Sequence, residues 1–235
     1  AAVGKRVCLI DFDPQGNAST GLGIERGARK ITSYDLLMSD ISLSDAILST
    51  EIKGLSVVPA TIDLSGAELE LVTQRNREYR LKRSLEASII DFDYILIDCP
   101  PSLGLVTLNA LTASDTVLIP LQCEFYALEG LSHLIKTIEL VRKRLNEKLS
   151  IHGVVLTMYD RRNKLTEQIE NDVREYLGDQ VYHTVIPRNV RMSEAPSHGK
   201  PALVYDLKCS GSKAYLNLAK EVLKREKALQ PAEAA

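Results

Sequence analysis

The stretch RVCLIDFDPQGN, residues 6–17, decides how the rest of the chain is interpreted. Its apolar run 7–10 is long enough for a buried strand and too short for most helices. Asp11 and Asp13 follow at a spacing that places both carboxylates on one side of an extended chain, and Pro14 then ends strand pairing. Ligands of open α/β sheets bind beyond such strand ends. The stretch predicts either a ligand site at a strand end or a turn whose acids are simply solvated.

Length and composition are those of an ordinary globular protein. The chain has 235 residues, of which 45% are hydrophobic and 26% charged, and its net charge is −2. Because this balance produces no general positive field, any nucleic-acid site must be a local basic patch. The four cysteines are far apart and form no C-x-x-C pair, which favours reduced thiols over a zinc site or a disulfide framework. No apolar run approaches the length of a transmembrane helix.

Strand and helix patterns alternate along the chain. Short apolar runs predict strands at residues 55–58, 94–97, 116–119 (ended by Pro120), 153–158 and 181–186. Amphipathic patterns predict helices at 43–48, 64–72, 78–88, 127–146, 165–177 and 212–228. Residues 18–34 are small, polar and glycine-containing, so they predict a loop. Apolar strands separated by helices predict one α/β domain over residues 1–235, with a mostly parallel, doubly wound sheet, helices on both faces and a flexible tail from about 229.

The stretch DYILIDCPPS, residues 93–102, provides a second candidate for the site. Asp98 ends a continuous apolar strand, and a carboxylate fixed at such a position is what a Walker B site uses to hold Mg²⁺ directly or through water. With Asp11 and Asp13 it would form a cluster of three acids, which repel one another unless a cation lies nearby. The alternative is again a set of solvated turn acids.

Five strings resemble the ParA/Soj-type partitioning ATPases, which belong to the deviant Walker group together with MinD. The strings are DFDPQGN at 11–17, ILIDCPPS at 95–102, QCEFYALEGL at 122–131, GVVLTMYD at 153–160 and VIPRNVRMSEAPSHGKP at 185–201. The resemblance extends from Gly4 to about Lys224. It implies a P-loop NTPase-like fold of the SIMIBI type, with ATP and Mg²⁺ as cofactors.

The resemblance also implies roles for the residues of these strings. Asp13 would orient or activate the water that attacks the γ-phosphate, and Asp98 would hold Mg²⁺ through its water shell. Asp11 would either support the metal or be structural. The remaining nucleotide-binding residues would be Gly16 and Asn17 near the phosphates, and Thr157, Met158, Pro187 and Arg188 around the adenine. For Met158 the alternative is core packing, because methionine commonly fills gaps in cores.

One motif of the family is missing from the sequence. The phosphate-binding loop, K-G-G-x-G-K-[ST]-[ST], does not occur, and VGKR at 3–6 cannot replace it, because Arg6 stands where serine or threonine is needed. Such a loop supplies the backbone amides and the lysine that bind the phosphates and the hydroxyl that binds Mg²⁺. We therefore expect the chain to be truncated at its amino end, with the first strand and this loop upstream of Ala1, and not to hydrolyse ATP competently as written.

The resemblance further implies partners. Members of the family form a homodimer with ATP, bind DNA without sequence preference, and release it when a ParB/Spo0J-like protein stimulates hydrolysis; they are cytoplasmic and associated with the nucleoid. The positions that match the family's DNA contacts are Arg162 and Arg191, and Arg161, Lys164 and Lys200 would widen the patch. The alternative is a solvated surface of mixed charge. The charged C-terminal helix predicts no membrane binding.

Two other functions are compatible with the missing loop. One is a nucleotide-independent DNA-binding or regulatory module, which would bind DNA without responding to ATP. The other is an inactive subunit that pairs with a full-length relative through the dimer face. A mixing experiment with such a relative separates the second from the first.

Overall fold

The computed structural model describes residues 1–88 and 91–229. The contacts within the chain separate it into two compact units. Unit 1 comprises Ala1–Asp115, Ile138–Leu149 and Ala195–Pro201, and unit 2 comprises Thr116–Thr137, Ser150–Glu194 and the described residues from Ala202 onward. The single domain expected from the sequence stays a prediction, and the expected tail beyond residue 229 lies outside the described residues.

Unit 1 contains the strand that follows the opening residues and its neighbours. Its strands are β1 (Val7–Asp11), β2 (Leu48–Ser49), β3 (Leu55–Val58) and β4 (Tyr94–Asp98). Its helices are α1 (Asn17–Gly21), α2 (Ser33–Met38), α3 (Leu43–Ala46), α4 (Leu64–Leu71), α5 (Arg80–Glu86) and α6 (Leu105–Ala113). The capping box of Ser42 and Asp45 begins α3, because each of these side chains accepts the backbone N–H of the other residue.

The sheet of unit 1 has the strand order β2-β3-β1-β4. β1 runs parallel to both of its neighbours, and only the short β2 is antiparallel to β3 among the described pairings. The core of the unit contains Ile10 and Phe12 from the β1 region together with Leu64, Leu81 and Val106 from three helices. The predicted α/β class with a mostly parallel sheet is confirmed.

Unit 2 has a parallel pair of strands and most of the later helices. Its strands are β5 (Thr116–Gln122) and β6 (Ser150–Thr157). Its helices are α8 (Lys164–Leu177), α9 (Val190–Glu194), α10 (Ala202–Tyr205) and α11 (Ser210–Leu229), and α7 (Ala127–Arg144) has residues 127–137 in unit 2 and 138–144 in unit 1. Val155, Tyr182, Ile186 and Leu218 form a core cluster within the unit.

The predicted loop at 18–34 contains regular structure. α1 begins directly after Gly16, whose carbonyl accepts the backbone N–H of Thr20 at 3.0 Å and the Thr20 hydroxyl at 2.9 Å. α2 then starts at Ser33, within the same stretch. The polar composition that predicted a loop supplies hydrogen-bonding groups that stabilise these short helices.

Pro120 does not end β5, contrary to the prediction. The strand continues to Gln122, and Pro120 pairs with Val155 in the register of the two strands. Since the sheet of unit 2 consists of β5 and β6 within the described residues, every second N–H of β5 faces away from its partner. Proline has no backbone N–H. On an edge strand, at a position whose N–H would face away from the partner strand, proline therefore costs no hydrogen bond between the strands.

The predicted strand at 181–186 is not a regular strand. An isolated parallel bridge joins Val181 to Val154 of β6, and another joins Pro187 to Tyr159, just beyond the segment and the strand. Between them, the backbone N–H groups of His183 and Thr184 donate to the carboxylate of Glu221 on α11, at 2.8 and 2.9 Å. The Glu221 side chain of the last helix therefore accepts two backbone N–H groups in the middle of the segment, where a regular strand would pair with its neighbour.

Two predictions from composition concern the cysteines and the membrane. All four cysteines lie in the described residues and are free thiols, as predicted. Burial raises the pKa of Cys8 and of Cys99 to about 12, so both thiols are protonated at neutral pH. Within residues 1–88 and 91–229, no helix is long and apolar enough to cross a membrane.

Candidate functional site

Asp11 is fully buried at the end of β1 and is used to hold the neighbouring turn. Its Oδ2 accepts the backbone N–H of Ser19 at 2.7 Å and the Ser19 hydroxyl at 2.6 Å. The Ser19 Oγ in turn accepts the backbone N–H of Ala60 at 3.1 Å. The carboxylate thus connects β1, α1 and the residue that follows β3 and Pro59, which favours the structural role for Asp11 over a metal ligand.

Asp13 lies in the turn between β1 and α1 and is half-buried. Its Oδ1 accepts the backbone N–H of Gln15 at 2.9 Å, and its carbonyl accepts the N–H of Gly16 at 2.9 Å. Gly16 has a left-handed backbone, with φ of 63°. Asn17 is exposed and is the first residue of α1. The turn that leads into α1 therefore carries the Asp13 carboxylate.

A buried arginine that the sequence analysis did not single out supports this turn. Arg29 is 8% exposed, and its guanidinium donates to the carbonyls of Ile24 at 2.7 Å and Ala60 at 3.0 Å and to the hydroxyl of Thr20 at 2.9 Å. Its Nη1 also contacts the Gly16 carbonyl at 3.5 Å. Local sequence contains no signal for this role, since Arg29 resembles any charged residue of a polar stretch.

Asp98 comes next to Asp11 because β4 and β1 are paired in parallel register. The backbone N–H of Phe12 donates to the Asp98 carbonyl at 2.8 Å, which holds the two strand ends together. Asp98 is exposed as a residue, but its carboxyl group is partly desolvated. This partial burial raises the pKa of Asp98, and the negative charges of Asp11 and Asp13 raise it further.

The three acids predicted from the sequence are therefore close enough for two of them to act electrostatically on the third. Among the described residues, no group of three or more His, Cys, Asp or Glu side chains is arranged to hold a metal ion by itself. A cation at this edge would relieve the repulsion that raises the Asp98 pKa. Mg²⁺ held through water and phosphate oxygens fits this arrangement, because Mg²⁺ commonly keeps several waters and takes few carboxylates.

In unit 2, the predicted adenine residues lie where β6 ends. Thr157 is the last residue of β6, and Met158 follows with a left-handed backbone, φ of 52°, and 41% of its surface exposed. Core packing therefore does not explain Met158. Tyr159 forms a parallel bridge with Pro187, and its carbonyl accepts the backbone N–H of Arg188 at 3.1 Å. Unit 2 thus places these four predicted residues, together with Tyr159, at one edge.

A groove of about 820 Å³ lies beside this edge and contains several cations. Its positively charged lining residues are Arg161, Arg162, Arg188 and Lys213. Asp160 is the acidic residue among the described residues that line it. The groove joins two residues predicted to contact DNA with two predicted to contact adenine, Pro187 and Arg188, and with Lys213 of α11.

The other predicted DNA residues are placed differently. Arg191 lies on α9 and Lys164 begins α8, both in unit 2 but not among the residues that line the groove. Lys200 belongs to unit 1. The sequence analysis missed Lys213, because helix periodicity cannot show which cation of a helix lies beside a distant loop.

The chain is similar to known proteins over nearly its whole length. A family model described as an AAA domain matches residues 1–151. The chromosome partitioning protein ParA of Caulobacter vibrioides is 61% identical over 229 residues, which are 97% of this chain and 86% of that protein. The chromosome-partitioning ATPase Soj of Treponema pallidum is 50% identical over 226 residues, 96% of this chain and 88% of that protein.

The chain belongs to the ParA/Soj family of partitioning ATPases. The family predicted from the five strings is thereby confirmed. Membership of the ParA/Soj family makes the chain an ATPase by resemblance, whereas the roles of individual site residues stay predictions.

A solved structure adds information about the ligands of related proteins. Cobyrinic acid a,c-diamide synthase from Mycobacterium smegmatis, with bound ADP and magnesium, superimposes with a TM-score of 0.83 at 35% identity, covering 97% of this chain and 86% of that protein. This neighbour of the ParA/Soj chain thus binds a nucleotide together with Mg²⁺, which agrees with the cofactors predicted for the family.

Proposed function

We propose that the chain acts as a ParA/Soj-type nucleotide switch in chromosome or plasmid partitioning. ATP favours a homodimer that binds DNA without sequence preference at the nucleoid, and hydrolysis stimulated by a ParB/Spo0J-like protein releases it. The observation that carries this proposal is the meeting of Asp11, Asp13 and Asp98 at the carboxyl ends of β1 and β4. A carboxyl group whose pKa is raised by two neighbouring acids is suited to a site that receives a cation and its phosphate ligand.

Within this site the three acids have separate tasks. Asp13, in the turn, orients or activates the water that attacks the γ-phosphate. Asp98 holds Mg²⁺ through water, and its raised pKa falls when the cation is present because the cation stabilises the ionised carboxylate. Asp11 holds the turn in place through Ser19. When bound, Mg²⁺ neutralises charge on the transferred phosphoryl group.

The test of hydrolysis uses Asp13. Because the sequence contains no K-G-G-x-G-K-[ST] stretch, the assay compares the chain alone with the chain joined to a segment that carries this motif. Only the joined chain is expected to bind and hydrolyse ATP. In it, Asp13→Asn should lower kcat by about 10²–10⁴-fold, the usual contribution of a positioned base, while ATP still binds. Asp115→Asn, an exposed acid of the same unit, is the control. Normal turnover in Asp13→Asn excludes the assigned role.

The DNA part of the proposal is supported by the basic residues of unit 2. The groove gathers Arg161, Arg162 and Arg188 on a protein whose net charge is −2, so the positive charge is local. Contacts from arginine to phosphate carry affinity without reading sequence. Two such surfaces in a dimer add avidity, so that dimerisation by itself raises DNA affinity.

Charge reversal tests this assignment. In the joined chain, Arg162→Glu combined with Arg191→Glu should abolish retention of duplex DNA and leave ATP binding intact. Arg75→Glu, on the exposed surface of unit 1, makes the same change of charge elsewhere and should leave DNA retention nearly unchanged. If the double variant still retains DNA, the assignment of the DNA surface is wrong.

A further inference from the structure

The arginines assigned to DNA are already bound by carboxylates of the same chain. The guanidinium of Arg162 donates from Nε to Asp160 Oδ1 at 2.9 Å and from Nη2 to Asp160 Oδ2 at 2.8 Å. The Arg162 side chain is 89% exposed and that of Asp160 is 27% exposed. An exposed arginine that could extend into solvent is instead engaged by two parallel hydrogen bonds.

These two hydrogen bonds use the same N–H groups that a phosphate would use. The fork formed by Nε and one Nη is planar and matches carboxylates and phosphates alike, which both offer two oxygens at a similar spacing. A DNA phosphate therefore has to displace Asp160 before it can make a bidentate contact with this edge of Arg162, the edge formed by Nε and Nη2. We infer that Asp160 is an internal competitor of DNA phosphate, and that it keeps the affinity of the groove for DNA low and readily reversible.

The position of the Asp160 carboxylate is maintained by its own backbone. Asp160 Oδ1 also accepts the backbone N–H of Arg162 at 3.1 Å, and the Asp160 carbonyl accepts the N–H of Asn163 at 3.0 Å. The carboxylate is thus part of the turn that follows β6. Its place beside Arg162 is therefore set by the turn itself.

The competitor is charged at every pH of interest. The side-chain hydrogen bonds from Arg162, followed by the backbone hydrogen bond from the same residue, lower the pKa of Asp160 to about 2. The other ionisable groups that line the groove with this pair are Tyr159, whose pKa is raised to about 12, and the cations Arg161, Arg188 and Lys213. The competition is therefore controlled by salt and phosphate, and not by titration of Asp160 near neutral pH.

Arg191 is also paired with carboxylates, but through two different residues and without a bidentate fork. Its Nη1 donates to Glu194 Oε2 at 3.0 Å, and its Nε lies 3.8 Å from Asp206 Oδ2. The hydroxyl of Tyr205 donates to the same Glu194 oxygen at 3.3 Å. Both arginines that the proposed function assigns to DNA therefore have a carboxylate of unit 2 on part of their guanidinium.

An alternative is that the Asp160 carboxylate raises DNA affinity. Asp160 could hold Arg162 in the orientation that DNA requires, in which case removing the carboxylate would weaken DNA binding by increasing the freedom of the side chain. The competition acts at the Nε/Nη2 edge, because Asp160 occupies that edge and its ordering of the guanidinium is lost when phosphate replaces it there. The two effects predict opposite changes of affinity for one variant.

The inference rests on the DNA part of the proposed function and is tested with Asp160→Asn. The asparagine oxygen still accepts the Arg162 N–H and preserves the turn, while the charge is removed. DNA affinity of the joined chain with ATP and Mg²⁺, measured by fluorescence anisotropy on a mixed-sequence duplex, should rise about two- to five-fold, as expected for loss of an exposed ion pair. Glu167→Gln changes the net charge equally on the exposed side of α8 and should have a smaller effect.

A background without the Arg162 guanidinium shows whether the effect of Asp160→Asn depends on Arg162. In an Arg162→Ala background, Asp160→Asn should change DNA affinity no more than Glu167→Gln does, because there is no guanidinium left to release. Weaker binding by Asp160→Asn, or equal gains from both charge-removing variants, overturns the competition while the DNA function stands. If the wild-type protein does not bind DNA at all, the proposed function fails and the competition fails with it.

Discussion

Gly16 lies at the turn between β1 and α1, and two separate features require a glycine there. Its φ of 63° belongs to the left-handed region, and a Cβ at this position would lie 2.6 Å from Arg29 Nη1 and 3.0 Å from the Ala60 carbonyl oxygen. Arg29 cannot move away without giving up its bonds to Ala60 and Thr20. The buried arginine and the glycine therefore depend on each other in shaping the turn that carries Asp13.

Gly16→Ala is expected to lower the free energy of unfolding by about 1–3 kcal/mol, since it adds backbone strain and a close contact at once. Gly27→Ala is the matched control, because Gly27 has no atom within 4 Å of an added Cβ. Denaturant unfolding of both variants measures the difference. Equal stabilities would show that the turn around Gly16 adapts to a side chain.

Asp98 gives a pH-dependent prediction. Its pKa is raised in the folded chain, first by partial burial and then by Asp11 and Asp13, so folding favours the protonated form. Ionisation of Asp98 therefore costs stability as the pH rises through its folded pKa. Asp98→Asn should increase the free energy of unfolding at pH 7, and the gain should fade as the pH falls below the usual range of aspartate.

Asp93 is the control of opposite sign for this prediction. Its pKa is lowered by hydrogen bonds from Arg6, the backbone N–H contributing most, so its stabilising contribution is present at neutral pH and is lost on acidification. Asp93→Asn should therefore lower stability at pH 7, where Asp98→Asn raises it. Thermal unfolding of both variants between pH 3 and about pH 7 follows the two trends. A loss of stability in Asp98→Asn at pH 7 would contradict the acid cluster.

At the scale of elements, α6 depends on a side chain of α4 for its first turn. The two carboxylate oxygens of Glu68 accept the backbone N–H groups of Leu105 at 2.8 Å and Val106 at 3.0 Å. These N–H groups have no partner within their own helix, and a negative charge also suits a helix N-terminus. Glu68 thus joins α4 to α6 and places the segment that follows Asp98.

Glu68→Ala is expected to cost about 0.5–2 kcal/mol of unfolding free energy, the usual effect of removing an N-cap. The measurement is denaturant unfolding followed by circular dichroism. Glu51→Ala, an exposed glutamate between β2 and β3, serves as the control and should be nearly neutral. If the two variants are equally stable, water replaces the cap without loss.

β4 is the outermost of the described strands on its side of the sheet in unit 1, and Leu96 on it is 54% exposed. An apolar edge strand can pair with another chain, and a charge placed on it prevents such pairing. Leu96→Lys should reduce concentration-dependent association, measured by light scattering. Leu69→Lys, on α4 with 78% exposure, adds the same charge away from the edge and should reduce it less. Equal effects from both would indicate a nonspecific influence of charge.

At the scale of the whole molecule, the net charge of −2 opposes DNA binding, and the groove of unit 2 must overcome it locally. Each phosphate that a protein neutralises changes the slope of log K against log salt by about −0.9. Arg162→Ala should therefore make the slope shallower by about 0.9 for each phosphate that Arg162 neutralises. Titrations of duplex DNA at several salt concentrations measure it, and an unchanged slope would remove Arg162 from the DNA surface.

Much of the site could be predicted from sequence because its signals are local. Asp13 and Asp98 follow apolar runs, and a proline comes within two residues after each acid. Both the strand and its end are therefore visible within a few residues. The strand predicted at 181–186 rests on the same logic but is irregular, since Glu221 of a distant helix takes its amides. Local pattern identifies an apolar segment but cannot show where its hydrogen bonds go.

The sequence by itself determined the α/β class, the family, and the acids that end β1 and β4, because apolar periodicity and turn residues act over short distances. Only the tertiary structure decided that Asp11 holds Ser19, that Arg29 supports the turn at Gly16, and that Arg188 shares a groove with Lys213 of α11. These roles depend on contacts between residues far apart in the chain. The pairing of the Arg162 guanidinium with Asp160 was also decided only by the structure, because a sequence shows charges but not the hydrogen bonds that they form.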